Sequence, residues 1–293
     1  MNVGGQERRM LGGSGKAAGL GLAALVFAAL MPTAQATTSF TNGNFTTLTC
    51  TGTQTTCTSG NGQLGYNTNV ADWTNGTVGG SGYGGPPATT YGYNFLFTST
   101  SSALTTGSGA NGADGLIYLY NGTGGTYTLT GSANGSGFTN GAIPGGGNFI
   151  AADGAYESAA ISQTIAGLTA GASYTVSFYW AAAQQTCCTG ATTEKWQVSL
   201  GSQTQTTSAY SNPSEGFSGW MYQTFTFTAD STSDLLSFLS IGTPISPSEP
   251  PFALLADVTF TQATPEPGTL SMMFGGLGLI GLGVVRSKFR GKR

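Results

Sequence analysis

The side chains able to do chemistry in the long middle of this chain are carboxylates, hydroxyls and phenols. Between residues 37 and 264 stand ten carboxylates, Asp72, Asp114, Asp153, Glu157, Glu194, Glu215, Asp230, Asp234, Glu249 and Asp257, against one base, Lys195, which gives that stretch a net charge of −9. The whole-chain value of −3 hides this, because the other bases sit at the two ends. With no histidine anywhere, the chain has no Ser-His-Asp relay and no imidazole metal ligand. Glycoside hydrolysis needs two carboxylates facing each other across a cleft; Asp153 and Glu157 are the pair to ask about, but they sit in no recognisable catalytic motif. No glycine-rich phosphate loop with its lysine is present. A surface this acidic repels phosphate backbones, which argues against a nucleic-acid partner, and it attracts divalent cations. No residue is assigned a catalytic role, and the reading is of a non-enzymatic protein.

The two ends say where this acidic part works. Arg8, Arg9 and Lys16 precede an apolar run from Ala17 to Met31, and Ala34-Gln35-Ala36 places small residues where a signal peptidase reads. Residues 1–36 therefore read as a secretory signal peptide cut after Ala36. At the other end Pro265-Glu266-Pro267 leads into an uncharged apolar stretch, 268–285, followed by Arg286, Lys288, Arg290, Lys292 and Arg293. Eighteen helical residues span about 27 Å, close to the hydrocarbon thickness of a bilayer. The cations behind the helix stay in the cytoplasm, which leaves residues 37–264 outside.

A Pro-Glu-Pro triplet, one helix and a basic terminus, in that order, resemble the PEP-CTERM sorting signal of exported proteins of Gram-negative bacteria that make exopolysaccharide. The resemblance covers residues 264–293 and implies a partner, an exosortase-type membrane protease that cuts near the triplet. It also implies transient anchoring in the inner membrane, then release or transfer to the cell surface or extracellular matrix.

Export places all four cysteines, Cys50, Cys57, Cys187 and Cys188, in an oxidising compartment. Three pairings are open. Cys50 with Cys57 leaves the neighbours Cys187 and Cys188 to form an adjacent-residue ring or stay free, whereas two bridges from the first pair to the second would tie the N-terminal part to a mid-chain loop.

Positioning any site here falls to strands. Gly, Thr, Ser and Asn dominate, and seven Asn-Gly pairs, beginning at Asn42, Asn61, Asn75, Asn111, Asn121, Asn134 and Asn140, are candidate hairpin turns. Tyr174, Val176, Phe178 and Trp180 alternate with smaller or more polar residues, as do Trp196, Val198 and Leu200, and Phe225 and Phe227. Each is a half-buried strand. The runs 93–97, 116–120, 235–241 and 253–260 read as further strands, and the whole as an all-β sandwich over 37–263, with a Gly/Thr/Asn-rich part, 37–140, and a better-patterned part, 141–263. Trp180, Trp196 and Trp220 are expected in the core.

Within that part, Asn148-Phe149-Ile150-Ala151-Ala152-Asp153-Gly154, Ile161-Ser162-Gln163-Thr164-Ile165, Gly167-Leu168 and Gly171 to Phe178 resemble the central stretch of galactose-binding-like jelly rolls. Gly219-Trp220 before Phe225-Thr226-Phe227-Thr228, the closing Ala256-Asp257-Val258 and the opening Asn42-Gly43-Asn44-Phe45 fit the same pattern. The resemblance implies a jelly-roll-like β-sandwich that binds polysaccharide through rings stacked on sugars. If the alternating apolar residues point inward, Tyr179, Lys195, Gln197, Tyr222 and Thr224 fall on an outer face, and with Tyr118 and Tyr120 they make a platform of rings and hydrogen-bonding groups. The family's structural calcium, its only implied cofactor, would fall to Asp257 with Asn44, although Ala256 stands where a second acid is usual.

Two other readings compete with a glycan-binding module. One is a structural matrix or coat protein with no discrete ligand. The other is an ice-binding protein, for which threonine is abundant but shows no fixed period along the chain. The intact mass of protein recovered from envelope and medium checks the processing: a species running from Thr37 to near Pro267 is expected, and one that keeps Arg293 in the membrane would overturn the exosortase reading.

Overall fold

The computed structural model describes residues 37–49, 61–66, 68–78, 90–98, 110–112, 115–120, 143–245 and 249–263. Ala34, Ala36, Cys50, Cys57, the Pro265-Glu266-Pro267 triplet and the segment 268–285 lie outside them. Among the described residues the chain is all-β, and no helix is long and apolar enough to cross a membrane.

In chain order the strands are β1 (Leu48–Thr49), β2 (Gly62–Gln63), β3 (Asn69–Val70), β4 (Thr74–Asn75), β5 (Thr77–Val78), β6 (Thr90–Tyr91), β7 (Asn94–Phe97), β8 (Ala110–Gly112) and β9 (Gly115–Ile117). A 3-10 turn at Pro144–Gly146 precedes β10 (Phe149–Asp153), β11 (Ile161–Ala166), β12 (Ser173–Gln184), β13 (Thr192–Leu200), β14 (Gln203–Thr206), β15 (Tyr210–Asn212), β16 (Met221–Thr228), β17 (Ser233–Thr243) and β18 (Pro251–Gln262). The larger sheet runs β16-β12-β18-β10-β7-β2-β8-β9, and the smaller runs β14-β13-β17-β11-β4 with β15 also on β13. Strands from the Gly/Thr/Asn-rich part thus join those of the better-patterned part, β7 beside β10 and β4 beside β11.

The sheets face each other across one apolar cluster. From the larger sheet come Tyr174, Val176, Phe178, Trp180, Phe225, Phe227, Leu255 and Phe260; from the smaller come Ile161, Ile165, Trp196, Val198, Leu200, Leu236 and Phe238. The expected alternation is present here, since Thr192, Glu194, Trp196, Val198 and Leu200 are buried while the residues between them are half-exposed. Each such side chain contributes about 1.5–3 kcal/mol on burial. Trp196 is wholly enclosed, and its indole N–H donates to the Leu254 carbonyl of the opposite sheet at 3.1 Å, so its one polar atom is satisfied inside the core.

A second apolar cluster covers part of the larger sheet's other face, with Phe95, Phe97, Phe149, Phe252, Leu254, Ala181 and Ala183 under Phe217 and Trp220. Trp180 and Trp196 occupy the inter-sheet core as expected. Trp220 instead packs on Phe149 from the far side, with ring centroids 5.8 Å apart.

Of the Asn-Gly pairs, Asn42-Gly43 turns with Asn42 at φ 51, and Asn111-Gly112 ends a strand whose Gly112 pairs with Gly115. Asn75-Gly76 is not a hairpin turn. The buried Asn75 amide donates to the carbonyls of Leu64 and Gly92 at 2.7 and 3.1 Å, and these bonds hold it in a strand.

Strand β16 is the edge of the larger sheet, and an open edge invites pairing with another chain. The Gln203 side chain caps it, donating to the Thr228 carbonyl and accepting from the Thr228 N–H at 2.8 and 3.1 Å, while Gln205 donates to the Thr226 carbonyl at 2.6 Å.

Strand β18 carries an irregularity that decides which residues meet solvent. Ala256 pairs with Tyr179 and Thr259 with Ser177, so Asp257 and Val258 together stand opposite Phe178. That is a β-bulge, with Asp257 at φ 48. It shifts the alternation: Ala253 and Leu255 point into the inter-sheet core before it, and Val258 and Phe260 after it. Without the bulge Asp257 would take the inward position two residues after Leu255. Glycine tolerates the left-handed conformation and a β-branched residue does not. Asp257→Gly is therefore expected to keep the fold's stability within about 0.5 kcal/mol, and Asp257→Val to lower it by about 1–2 kcal/mol. Equal urea midpoints for the two variants would contradict this account of the bulge.

Candidate functional site

The larger sheet's face opposite the inter-sheet core divides into two halves. One half is the covered apolar cluster. The other is built from β16, β12 and β18, where inward Phe225, Phe227, Tyr174, Val176, Val258 and Phe260 leave the intervening residues facing out. The strand register lines these up in ranks. Thr224 lies opposite Ser177 and Ser177 opposite Thr259; Thr226 lies opposite Thr175 and Thr175 opposite Thr261; Thr228 lies opposite Ser173. Hydroxyls therefore recur about 4.8 Å apart across strands and about 6.7 Å apart along them. The Ser177 and Thr224 hydroxyls are hydrogen-bonded at 3.1 Å, and the Thr259 hydroxyl leans back to the Ser177 carbonyl at 3.4 Å.

Two tyrosines stand at the head of these ranks. Tyr222 pairs with Tyr179 across β16 and β12, their ring centroids lie 5.0 Å apart, and Tyr222 is 60% exposed. Hydrogen bonds from Ser177 and Thr224 pull the Tyr222 phenol below its ordinary value, with the Asp257 charge acting weakly the other way. A large ring this open is unusual on a sheet whose other rings are almost all enclosed, and it borders a field of hydroxyls. The arrangement can stack on the apolar face of a sugar ring while exchanging hydrogen bonds with its hydroxyls.

The structure brings Tyr179, Tyr222 and Thr224 together and sets the other proposed platform residues apart. Lys195 and Gln197 face outward from β13 in the smaller sheet, on the opposite side of the sandwich. Tyr120 is 5% exposed and its hydroxyl donates to the Thr186 carbonyl at 3.1 Å. Tyr118, half-buried, is tied through its carbonyl to the Thr186 N–H. Neither adjoins β16. Thr175, Thr226, Thr259 and Thr261 belong to the platform and were not among the residues singled out. The signal for the last two was the phase change in Ala256-Asp257-Val258-Thr259-Phe260.

Asp257 stands at the β18 bulge and Asn44 in the turn ahead of β1. Asp257 sits against Gly145, where a Cβ would stand 2.6 Å from the carboxyl carbon, so only a glycine fits there. The Asn44 side-chain oxygen accepts from the Thr46 hydroxyl at 2.9 Å. Among the described residues no three acids or cysteines are grouped as a metal site.

Cys187 and Cys188 form a disulfide with each other, with Cα atoms 3.7 Å apart. The two bridges linking Cys50 and Cys57 to this pair are therefore not formed. The ring lies in the β12–β13 loop, with Cys187 exposed.

Asp153 and Glu157 are buried, at 1% and 6% exposure, and do not face an open cleft. Burial pushes the Asp153 carboxyl up to about 7, against hydrogen bonds from the Tyr156 and Ala155 N–H groups and helped by the Glu157 charge. Burial likewise raises Glu194 to about 8, opposed by a hydrogen bond from Thr192 and reinforced by Asp153. One oxygen each of Asp153 and Glu194 is enclosed without a hydrogen-bond partner.

No family model matches the chain and no curated protein matches it. Its structural neighbours include carbohydrate-binding modules. A structure described as CBM4 is 18% identical with a TM-score of 0.24, covering 40% of this chain and 70% of its own. A family 16 carbohydrate-binding module is 15% identical with a TM-score of 0.24, covering 45% and 97%. The N-terminal cellulose-binding domain of Cellulomonas fimi β-1,4-glucanase C is 14% identical with a TM-score of 0.25, covering 53% and 93%. The functional reading rests on the residues of this chain.

The buried acids make a pH prediction. Both carboxyls are raised in the fold, to about 7 and about 8, while the unfolded chain ionises them near 4. Their protonated forms thus favour the folded state fully below about pH 4, and that contribution is lost as pH rises through 7 to 8. Tm should fall between about pH 5 and pH 8, and Glu194→Gln, which cannot ionise, should flatten the fall. A wild-type Tm that rises over that interval would refute the assignment.

Proposed function

We propose that this chain is a non-enzymatic exported protein that binds neutral polysaccharide on the β16-β12-β18 face and works at the cell surface or in the extracellular matrix. The observation that carries this is the open Tyr222 ring, packed on Tyr179 at the head of ranked serine and threonine hydroxyls. Rings stack on sugars without regard to charge, and hydroxyls exchange hydrogen bonds with sugar hydroxyls. The net charge of −9 between residues 37 and 264 disfavours an acidic polymer. Support for export and sorting comes from the two ends, with an exosortase-type protease as the processing partner.

Affinity electrophoresis and pull-down against insoluble neutral polysaccharides test the reading. Tyr222→Ala should weaken binding about tenfold or more with an unchanged Tm, since an exposed ring contributes little to folding. Lys195→Ala and Gln197→Ala, on the far sheet, should bind as wild type. If Tyr222→Ala also binds as wild type, the platform is not the site.

The hydroxyl ranks favour a second reading, ice binding, because the two-dimensional repeat absent along the chain is assembled between strands. Thermal hysteresis that Thr226→Val and Thr261→Val alter would support it, and none at all would dispose of it.

A further inference from the structure

A cleft of about 350 Å³ lies away from this platform, between β3, β4 and β6. Its volume is at the small end of ligand sites, enough for one small molecule rather than for a length of polymer.

Its lining divides by what each polar group already does. Asn69 accepts from the Gly65 N–H at 2.9 Å, Asn75 donates to Leu64 and Gly92, and the Trp73 indole N–H donates to the Asn42 carbonyl at 3.2 Å. These groups hold the wall together. Asp72, Thr49, Thr74 and Tyr91 are placed differently. The Thr41 hydroxyl donates to Asp72 Oδ2 at 2.8 Å, and among the described residues no hydrogen bond reaches the second carboxylate oxygen. Among the described residues the hydroxyls of Thr49, Thr74 and Tyr91 likewise make no hydrogen bond, and Thr49 and Thr74 are open to solvent.

The backbone at Asp72 and the ring of Tyr91 are held in place. Asp72 sits at φ 67 in a turn held by bonds from the Ala71 N–H to the Thr47 carbonyl and from the Asn42 amide to the Ala71 carbonyl. The Tyr91 ring lies against Gly65, where an added Cβ would stand 2.3 Å from the ring, so its position depends on that glycine. A half-buried ring, a carboxylate oxygen and three hydroxyls therefore converge on one small cleft.

We propose that this cleft is a second binding site, which takes a single neutral sugar ring or the end of a sugar chain. The Tyr91 ring offers a stacking face, Asp72 accepts hydrogen bonds from vicinal hydroxyls, and Thr49 and Thr74 donate or accept as needed. The chemistry excludes the other classes. Lys195, the single base between residues 37 and 264, lies on β13 rather than in the cleft, so an anionic ligand finds no countercharge beside Asp72. One carboxylate does not make a cation site, and among the described residues Asp72 belongs to no group of three acids. This site does not depend on the Tyr222 platform, and either can fail alone.

Saturation-transfer NMR on the full-length chain, with a panel of neutral mono- and disaccharides and glucuronate as charged control, tests the proposal. Asparagine tolerates the left-handed backbone that Asp72 adopts, so Asp72→Asn removes the charge without disturbing the turn. With the platform silenced by Tyr222→Ala, at least one neutral sugar should still bind, with affinity reduced about tenfold when Asp72→Asn or Tyr91→Ala is added. Should Tyr91→Ala lower Tm, Asp72→Asn and Tyr91→Phe carry the test. In that Tyr222→Ala background, absence of binding by every neutral sugar, binding that survives Asp72→Asn, or glucuronate bound as tightly as the neutral sugars would overturn it. Signals lost only in Tyr222→Ala would place the sugar on the platform and overturn it equally.

Discussion

Strands β12 and β18 lie side by side for most of their length, and each must give one face to the inter-sheet core. That requirement fixes the rest of the larger sheet. Side chains alternate with a period of two, so an acid at an inward position would be enclosed among Val176, Phe178 and Phe238, at a cost of several kcal/mol unless paired. The chain escapes by inserting one residue. With Asp257 and Val258 both opposite Phe178, the acid turns out of the core and the next residues return to it in the opposite phase. The same step lifts Thr259 and Thr261 onto the outer face beside Thr175 and Ser177. The ranks on β12 and β16 gain their third column, from β18, through that inserted residue.

The outer face of that sheet shows how burial separates structural from functional surface. Beyond the Tyr179–Tyr222 rank its residues are Ala181, Ala183, Leu254, Phe252 and Phe149, which must be covered, and Phe217 and Trp220 help to cover them. On the near side they are Thr and Ser, which water satisfies, so nothing in the fold needs to sit there. Threonine also suits a strand on conformational grounds, and a threonine field by itself would say little. The two phenols at its boundary distinguish it: the apolar cluster stops short of Tyr222, and a ring that folding could have enclosed stays open.

Alternation in the sequence marked the first half of β12, β13 and β16 correctly, because each has one face in the core and one toward solvent. It gave no guide to sides. In-and-out patterning says that Lys195 and Tyr179 both point away from the core, but not that they leave it in opposite directions from different sheets. Strand β7 and the first half of β18 were legible as strands but not as faces, since all their residues are buried and the period disappears. Tyr118 and Tyr120 read as open rings because nothing local shows that Tyr120 meets Thr186 across the fold. The cleft at Asp72 and Tyr91 was illegible for the same reason: Gly65, Asp72 and Tyr91 belong to separate short segments, and only the close approach of Tyr91 to a residue without a side chain brings them together.

Charge ties the two proposed sites together. A protein with nine more acids than bases between residues 37 and 264 keeps two of them, Asp153 and Glu194, buried and largely protonated below their raised values. Near neutral pH its effective charge is therefore less negative than its composition suggests, and it falls further as pH rises. The platform has one peripheral carboxylate, Asp257, and the cleft has one, Asp72, with no base in either. Ligands bearing carboxylates or phosphates would meet repulsion in both places with nothing to offset it. Stacking and hydrogen bonding to uncharged hydroxyls are what remains, and these forces are little weakened by salt. Binding of the proposed kind would therefore hold across the ionic strengths met at the proposed place outside the cell.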